Sequence, residues 1–537
     1  MALIARFLEV AEQRADETAL RWRRDDAWVA MTWSEYRHQV ARAAAYLTAK
    51  GIGPGDYVVL QLRNRPEFHI LDFAALAIGA IPISIYATAG EADVRHILEN
   101  AGAKLVVGEA IGDAEAPILG SLGVDSVSLE EATDGSMGKL AEMLHGVDGI
   151  DLSSCEGLRP GGTATIIYTS GTTGPPKGVV LSQENVAWTL ESLLQVYPAG
   201  LEGSRMVSYL PMAHIAERNT THYLPLWLGA EVTICPEPAE LFQYLQEVHP
   251  DFMFGVPRIW EKLAGAIEGG ASVAEVGLDK CRVAMTGAAP ADVGMIEALN
   301  AVGVPLGQIY GLSENTGPMT YDHAHSHPDT VGGPIPGCEV RLDTDGEVLC
   351  RGGNVFAGYL NRPEETAATF TADGWMRTGD IGELTDEGLL KIVDRKKDLI
   401  ITAGGENVSP GNIESRLRSC PLIDQACVIG DRQRFVAALI TLDRTEADRR
   451  FGRDGGAVPV TDPDLREEID RHVEQVNAVL SPLHRVKRYL VVPDAWSPAT
   501  GELTPTLKIK RRPILTKYAD QIERLYSVDG PTGAATG

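Results

Sequence analysis

Leu3, Phe7 and Val10 recur at helical spacing and predict an amphipathic first helix. The stretch 20–32 predicts a pair of strands. Thr32-Trp33-Ser34-Glu35 is a capping box, and the helix it opens is expected to run to Lys50 and stop at Gly51. Apolar runs over 57–62, 81–85 and 104–107 predict strands, with helices between them over 66–78 and 91–100. This alternation predicts a parallel sheet with helices on its faces. Residues 110–160 carry little pattern and are expected at the periphery. Alternation then resumes, with strands over 164–168, 207–210, 232–234, 252–256 and 283–286. From 332 to 380 the texture changes to short strands and Gly/Pro turns, which predicts a small β subdomain.

A chain of 537 residues is too long for one hydrophobic core, so at least two domains are expected. Asp394-Arg395-Lys396-Lys397-Asp398 places five charged residues between apolar Ile392-Val393 and Leu399-Ile400-Ile401, which predicts an exposed linker. Beyond it, 413–417, 435–442 and 465–480 predict a compact α+β domain. The expected class is therefore α/β. A large N-terminal domain of layered sheets and helices, with its β subdomain, spans 1–394. A small α+β C-terminal domain spans 395–526, and the Gly/Ala/Thr-rich tail 527–537 is expected to be disordered.

The formal net charge of −26 argues against nucleic acid or an anionic membrane as a general partner. Basic clusters at 484–488 and 508–512 read as solvated faces or as local patches for a phosphate ligand. The seven cysteines are scattered without CxxC spacing, so neither a zinc site nor a disulfide framework is signalled. Reduced thiols in a cytoplasmic protein are expected. No signal peptide or membrane-length apolar run is present in the sequence, which leaves peripheral membrane contact open.

The chemistry concentrates in Thr169-Ser170-Gly171-Thr172-Thr173-Gly174-Pro175-Pro176-Lys177-Gly178, which follows an apolar strand. Glycines let backbone N–H groups approach an anion, hydroxyls donate to phosphate oxygens, and Lys177 adds a mobile positive charge. The spacing is not that of a Walker A loop. Downstream, Tyr310-Gly311-Leu312-Ser313-Glu314 offers a ring that can stack on a purine and a carboxylate that can hold Mg²⁺. Thr378-Gly379-Asp380 offers a carboxylate that can accept two hydroxyls of a ribose. Small residues at Gly287-Ala288 permit close approach of a flat ring. His323, His325 and His327 could chelate a metal on one strand face, but no carboxylate or cysteine cluster accompanies them.

With these motifs in this order, the chain resembles the adenylate-forming superfamily over nearly its whole length. That group holds acyl-CoA synthetases, luciferases and the adenylation domains of nonribosomal peptide synthetases. The resemblance implies that Thr169 to Gly174 and Lys177 hold the phosphates, and that Thr173 and Glu314 bind magnesium. It implies that Tyr310 and Gly311 lie on the adenine with Gly287 and Ala288, and that Ser313 bonds the α-phosphate. Threonine is common in the family where Ser313 stands. Asp380 would hold the ribose, Arg395 the ribose or phosphate, and Lys397 would be the hinge of a mobile C-terminal domain. Gly404 and Gly405 would border the pantetheine passage. Lys508 aligns with the catalytic lysine, with Lys510 a near rival. Pro211-Met212-Ala213-His214 resembles the long-chain fatty acid branch, where His214 would border the acyl or nucleotide pocket.

The implied function is activation of a long-chain fatty acid by ATP, then transfer to CoA with release of AMP and pyrophosphate. ATP, Mg²⁺ and coenzyme A are the implied ligands. The alternatives are an adenylating enzyme for another acyl or aryl acid, or one with a carrier-protein acceptor. No carrier domain is expected after 537, and Gly404-Gly405 favours CoA. A non-catalytic nucleotide or fatty-acid binder fits least, because Glu314, Asp380, Arg395 and Lys508 are all retained.

Overall fold

A computed structural model describes residues 2–527 apart from 25–26, 110, 112–115, 130–137, 159–160, 170–174, 324–326, 405, 453–456, 499 and 505–507. Two sheets form its centre. The seven-stranded sheet runs Gly358–Tyr359, Lys177–Ser182, Thr163–Thr169, Ile81–Ser84, Tyr57–Gln61, Leu105–Gly108, Asp125–Ser128. Its last five strands are mutually parallel, as the strand–helix alternation predicts. The nine-stranded sheet has a parallel interior, from Leu306–Leu312 across to Thr18–Arg24, and antiparallel margins.

One continuous core joins residues of both sheets, from Val58 and Leu105 to Met206 and Met285. The helix Pro66–Ala77 is buried at every residue. It is apolar on nearly all sides, which suits an element with no solvent face. The helix Trp33–Ala49 starts where its capping box predicts: the Thr32 hydroxyl accepts from Glu35 N at 3.2 Å, and Thr32 N donates to the Glu35 carboxylate at 2.8 Å.

Two expectations are corrected. The weakly patterned stretch 110–160 contains the strand Asp125–Ser128, which extends the seven-stranded sheet, and it buries Leu129, Leu140, Leu144 and Leu152. Only Val127 of that strand is buried, so no alternation marks it in the sequence. The second correction concerns the charged run 394–398. The β subdomain is a four-stranded antiparallel sheet, Glu339–Leu342, Glu347–Arg351, Met376–Leu384 and Leu390–Arg395, so it extends past 380. Asp394 and Arg395 therefore end a strand, and 396–398 form a turn.

Three charges of this run have partners. Arg395 Nε pairs with Asp380 at 2.9 Å, and Lys396 Nζ meets Asp345 at 2.6 Å and Glu347 at 2.9 Å. Asp394 accepts from Ser409 Oγ at 2.6 Å and Gly411 N at 2.8 Å, at the start of the helix Pro410–Arg418. The crossing is braced rather than loose.

Beyond it, Ile423–Ile429, Val436–Leu442 and Val486–Val491 form a three-stranded sheet packed on the helices Pro410–Arg418 and Pro463–Val479. This α+β unit has its own core, from Ile400 to Val491. The tail 528–537 lies outside the described residues. Among the described residues, no helix is long and apolar enough to cross a membrane.

Candidate active site

The strand Leu306–Leu312 carries Tyr310 and leads into a single tight turn, Ser313–Asn315. Gly311 is obligatory here, because a Cβ would lie 1.5 Å from the Gly317 carbonyl oxygen. Gly287 is similarly confined, with a Cβ 2.6 Å from the Ile309 carbonyl oxygen, and Ala288 adopts a positive φ of 67°. The Glu314 turn is held from several distant segments. Asn315 Oδ1 accepts from Leu312 N at 2.7 Å, and Asn219 Nδ2 donates to Thr316 O at 2.5 Å. Thr316 Oγ1 donates to Asn354 O at 2.6 Å, and Phe356 N donates to Glu314 O at 2.9 Å.

At the centre, Asp380 is buried and accepts from Tyr310 Oη at 2.5 Å while pairing with Arg395 at 2.9 Å. Burial raises its carboxyl above the ordinary range, against the pull of Arg395. The Lys508 charge lies in the same electrostatic field, felt by Asp380 and His214 and opposed by Arg395. Protein crowding lowers its ammonium to about 8; Arg395 adds to the shift and Asp380 opposes it. The lysine keeps substantial solvent contact while protein surrounds its remaining sides. Lys510 instead precedes the helix Arg511–Lys517 and donates its N–H to Glu502 O at 2.6 Å. Of the two rivals, Lys508 is the one brought to Asp380 and Arg395.

His214 is pushed down to about 4 by burial, with Lys508 adding to it, so its ring is neutral at pH 7. Its Nδ1 accepts from Ala216 N at 3.2 Å, which leaves the ring proton on Nε2. Lys177 begins a strand opposite Thr169 and sits 4.5 Å over the Tyr359 ring. The Tyr359 hydroxyl donates to Glu314 Oε1 at 2.7 Å. Burial, then Arg395, lowers the Lys397 ammonium, and Lys177 contributes to the same field. Lys177, Glu314, Arg395, Lys397 and Lys508 thus belong to one connected electrostatic patch around Asp380 and Tyr310. A hard carboxylate ligand amid so many cations fits Mg²⁺ held together with phosphate oxygens.

Ser313 lies beside Glu314 in the turn, half-buried. Ser170, Gly171, Thr172, Thr173, Gly174 and Gly405 lie outside the described residues. Gly404 is in an exposed turn, and among the described contacts none joins it to this centre. Of the histidine run, 324–326 lie outside the described residues. Among the described residues the carboxylate cluster that could hold an ion is Asp343, Asp345 and Glu347, already partnered by Arg377 and Lys396.

Sequence reasoning missed Tyr359, Asn219 and Asn354, which brace Glu314 and Thr316. It also missed a fully buried ionic group behind them. Arg218 pairs with Asp72 and donates to the Ser84 hydroxyl, and its NH2 donates to Tyr223 Oη at 2.8 Å. His222 Nε2 lies 2.9 Å from Asp72 Oδ1 and His222 Nδ1 2.9 Å from His69 Nδ1. Arg218–Tyr223 is a widened helical turn, a form frequent at functional sites.

A fold of two α/β sheets, a β subdomain and a separate α+β unit that delivers one lysine to a cationic centre defines a nucleotide-handling enzyme. The chain belongs to the AMP-binding enzyme family: that family's model matches residues 7–360, and the AMP-binding enzyme C-terminal domain matches 397–529. It is 33% identical to the long-chain-fatty-acid–CoA ligase FadD15 of Mycobacterium bovis, over 94% of this chain and 93% of that one. ATP-bound MatB of Rhodopseudomonas palustris superposes with a TM-score of 0.79 at 23% identity, covering 97% of this chain and 99% of the other. The Mycobacterium tuberculosis fatty acyl CoA synthetase gives 0.68 at 26% identity, covering 97% and 99%.

Proposed function

We propose that the protein is an AMP-forming long-chain fatty acid–CoA ligase. The observation that carries the reading is the convergence of Arg395, Tyr310 and Lys508 on Asp380. The long-chain assignment rests on the FadD15 relative and on the 211–218 segment.

In the first step a fatty carboxylate oxygen attacks the α-phosphorus of ATP, and the bond to pyrophosphate breaks. Two anions must meet, so the barrier is largely electrostatic. Lys508, Lys177 and Arg395 supply fixed positive charge, and Mg²⁺ on Glu314, with Thr173, would shield the outer phosphates. Tyr310, fixed by its hydroxyl, presents a ring to the base. Asp380 has room for about four hydrogen bonds, and two are used, so a ribose diol can be accepted as well. Neutral His214 adds no charge beside the acyl carboxylate. In the second step the CoA thiol attacks the acyl carbonyl and AMP leaves. We place the domain boundary at 394/395, with Lys397 as hinge and 395–526 reorienting between the steps; the separate core of the C-terminal unit supports that division.

The test is AMP release by the purified chain with ATP, Mg²⁺ and CoA over acids from short chain to very long chain, plus aryl acids. CoA-dependent AMP release with greatest kcat/KM on long chains is expected. Preference for aryl or short acids would remove the long-chain assignment. Adenylate formed without CoA consumption would favour a carrier-protein acceptor, and no turnover would leave a binding protein.

A further inference from the structure

Cys338 and Cys350 lie 12 residues apart in sequence but bring their sulfurs to 3.6 Å, both unoxidised, on neighbouring strands of the β subdomain. Cys350 is the penultimate residue of the strand Glu347–Arg351, opposite Val340, and Cys338 stands just before the strand Glu339–Leu342. Nothing in the adenylation or thioester chemistry uses either thiol. Their surroundings are those of the active site. Asn354 Nδ2 lies 3.8 Å from Cys338 Sγ and donates to Pro318 O at 3.3 Å, while Asn354 O accepts from Thr316. The Asn315 amide lies beside Cys350. Directly after Cys350, the turn 352–356 delivers Phe356 N to the Glu314 carbonyl. The two sulfurs therefore sit behind the turn that carries Glu314, joined to it through Asn315, Asn354 and Phe356.

We propose that Cys338 and Cys350 are a disulfide-forming pair whose oxidation by a peroxide switches adenylation off. Cys338 keeps 8% of its surface exposed and Cys350 none, so Cys338 meets the oxidant. The Cys338 sulfur attacks one peroxide oxygen, giving a sulfenic acid and hydroxide. The Cys350 sulfur then attacks the sulfenic sulfur; the S–O bond breaks, and hydroxide leaves and takes up the thiol proton as water. The sum is two thiols and one hydrogen peroxide to one disulfide and two waters. A disulfide requires about 2 Å between sulfurs, so the pair must close from 3.6 Å. That movement pulls on Asn354 and on the start of the 352–356 turn, and so on Thr316 and Glu314. A shift near 1 Å at a reacting centre can cost ~10²-fold in rate.

The experiment treats the reduced full-length chain with hydrogen peroxide, blocks remaining thiols, and reads linkage and activity together. Trypsin cuts at Arg341, between the cysteines, so a disulfide appears as peptide 283–341 joined to peptide 342–351. Expected is that joined pair, an ATP–pyrophosphate exchange rate lowered at least about tenfold, and recovery of both with dithiothreitol. Cys350→Ser and Cys338→Ala are each expected to retain basal exchange and to lose the reversible inhibition; either folded variant suffices. Oxidation of other cysteines without the 338–350 linkage would overturn the proposal. So would full linkage with unchanged exchange, or inhibition that persists in both variants.

Discussion

Lys508 carries the most exposed prediction, because its charge must be present at the moment two anions meet. Its ammonium titrates near 8 in the free enzyme, lowered first by surrounding protein and then by Arg395. Lysine acts only in its protonated form here. A group with that pKa is about 90% charged at pH 7 and about 10% charged at pH 9. Adenylation kcat/KM, which reports the free enzyme, should therefore fall about tenfold between those values, tending to tenfold per unit above. Bound ATP adds negative charge beside the ammonium and favours the charged form, so the limb in kcat should move to higher pH. Arginine stays charged throughout, so Lys508→Arg should flatten the limb whatever its absolute rate. Lys508→Ala should lose about 10²–10³ in adenylation while leaving CoA transfer from supplied acyl-adenylate nearly intact. ATP–pyrophosphate exchange from pH 6.5 to 9.5, with the acid saturating, reads the adenylation step, and acyl-CoA formation from supplied acyl-adenylate reads the transfer. Lys397 is the rival titrating group, since burial lowers it too. If Lys508→Arg keeps the parental limb and Lys397→Arg removes it, the assignment to Lys508 is wrong.

Glu314→Gln should raise the Mg²⁺ concentration needed for half-maximal exchange, with partial rescue by excess metal, and Tyr359→Phe should do the same more weakly by freeing the Glu314 carboxylate; unchanged metal titrations would remove both from the site. Lys397→Pro fixes φ near −65° in the turn after Arg395, so exchange should persist while CoA transfer collapses and acyl-adenylate accumulates; a folded variant making acyl-CoA at the parental rate would end the hinge assignment. Asp72→Asn leaves Arg218 buried without its counter-charge and should cost about 3–5 kcal/mol in urea unfolding. Burial raises the Asp72 carboxyl, but Arg218 and His222 outweigh it and hold it below the ordinary value. This stabilisation is complete above the unfolded pKa of about 4 and disappears as pH falls through the lower folded value; a parental unfolding midpoint in Asp72→Asn would refute it.

Local signals in the chain identify what is built locally. The Thr32 capping box, the largely apolar helix over 66–77 and the alternation of strands were legible because each is a pattern of neighbours. The residues of the centre were legible because each sits in a dense motif. What brings them together was not. Tyr359 reaches Glu314 across 45 residues, and Asn219 reaches Thr316 across 97. Each is one polar residue in an unremarkable stretch. The charged run 394–398 misled for a related reason: its charges look solvated until Asp345, Glu347, Asp380 and Ser409 supply partners from elsewhere. The Cys338–Cys350 contact arises from strand register, which cysteine spacing does not encode.

The Asp394 carboxylate has a consequence for timing. It ends the last strand of the β subdomain and accepts two hydrogen bonds from Ser409 and Gly411, across the point where the two cores part. Bonds to a charged acceptor contribute about 1.5 kcal/mol each at the lower end. If the proposed reorientation about Lys397 breaks both, it gives up about 3 kcal/mol, a population ratio of about 10². The free enzyme would then wait with Lys508 on the Asp380 side, and substrates would meet a prepared centre instead of recruiting one. The second orientation would be entered only when something adds to its side of the ratio. On that reading, loss of pyrophosphate would remove the anion that Lys508 holds, so the chemistry of the first step would supply the signal for the second. An Asp394→Asn chain would have a weaker dwell in this orientation, and its two half-reactions would drift out of sequence.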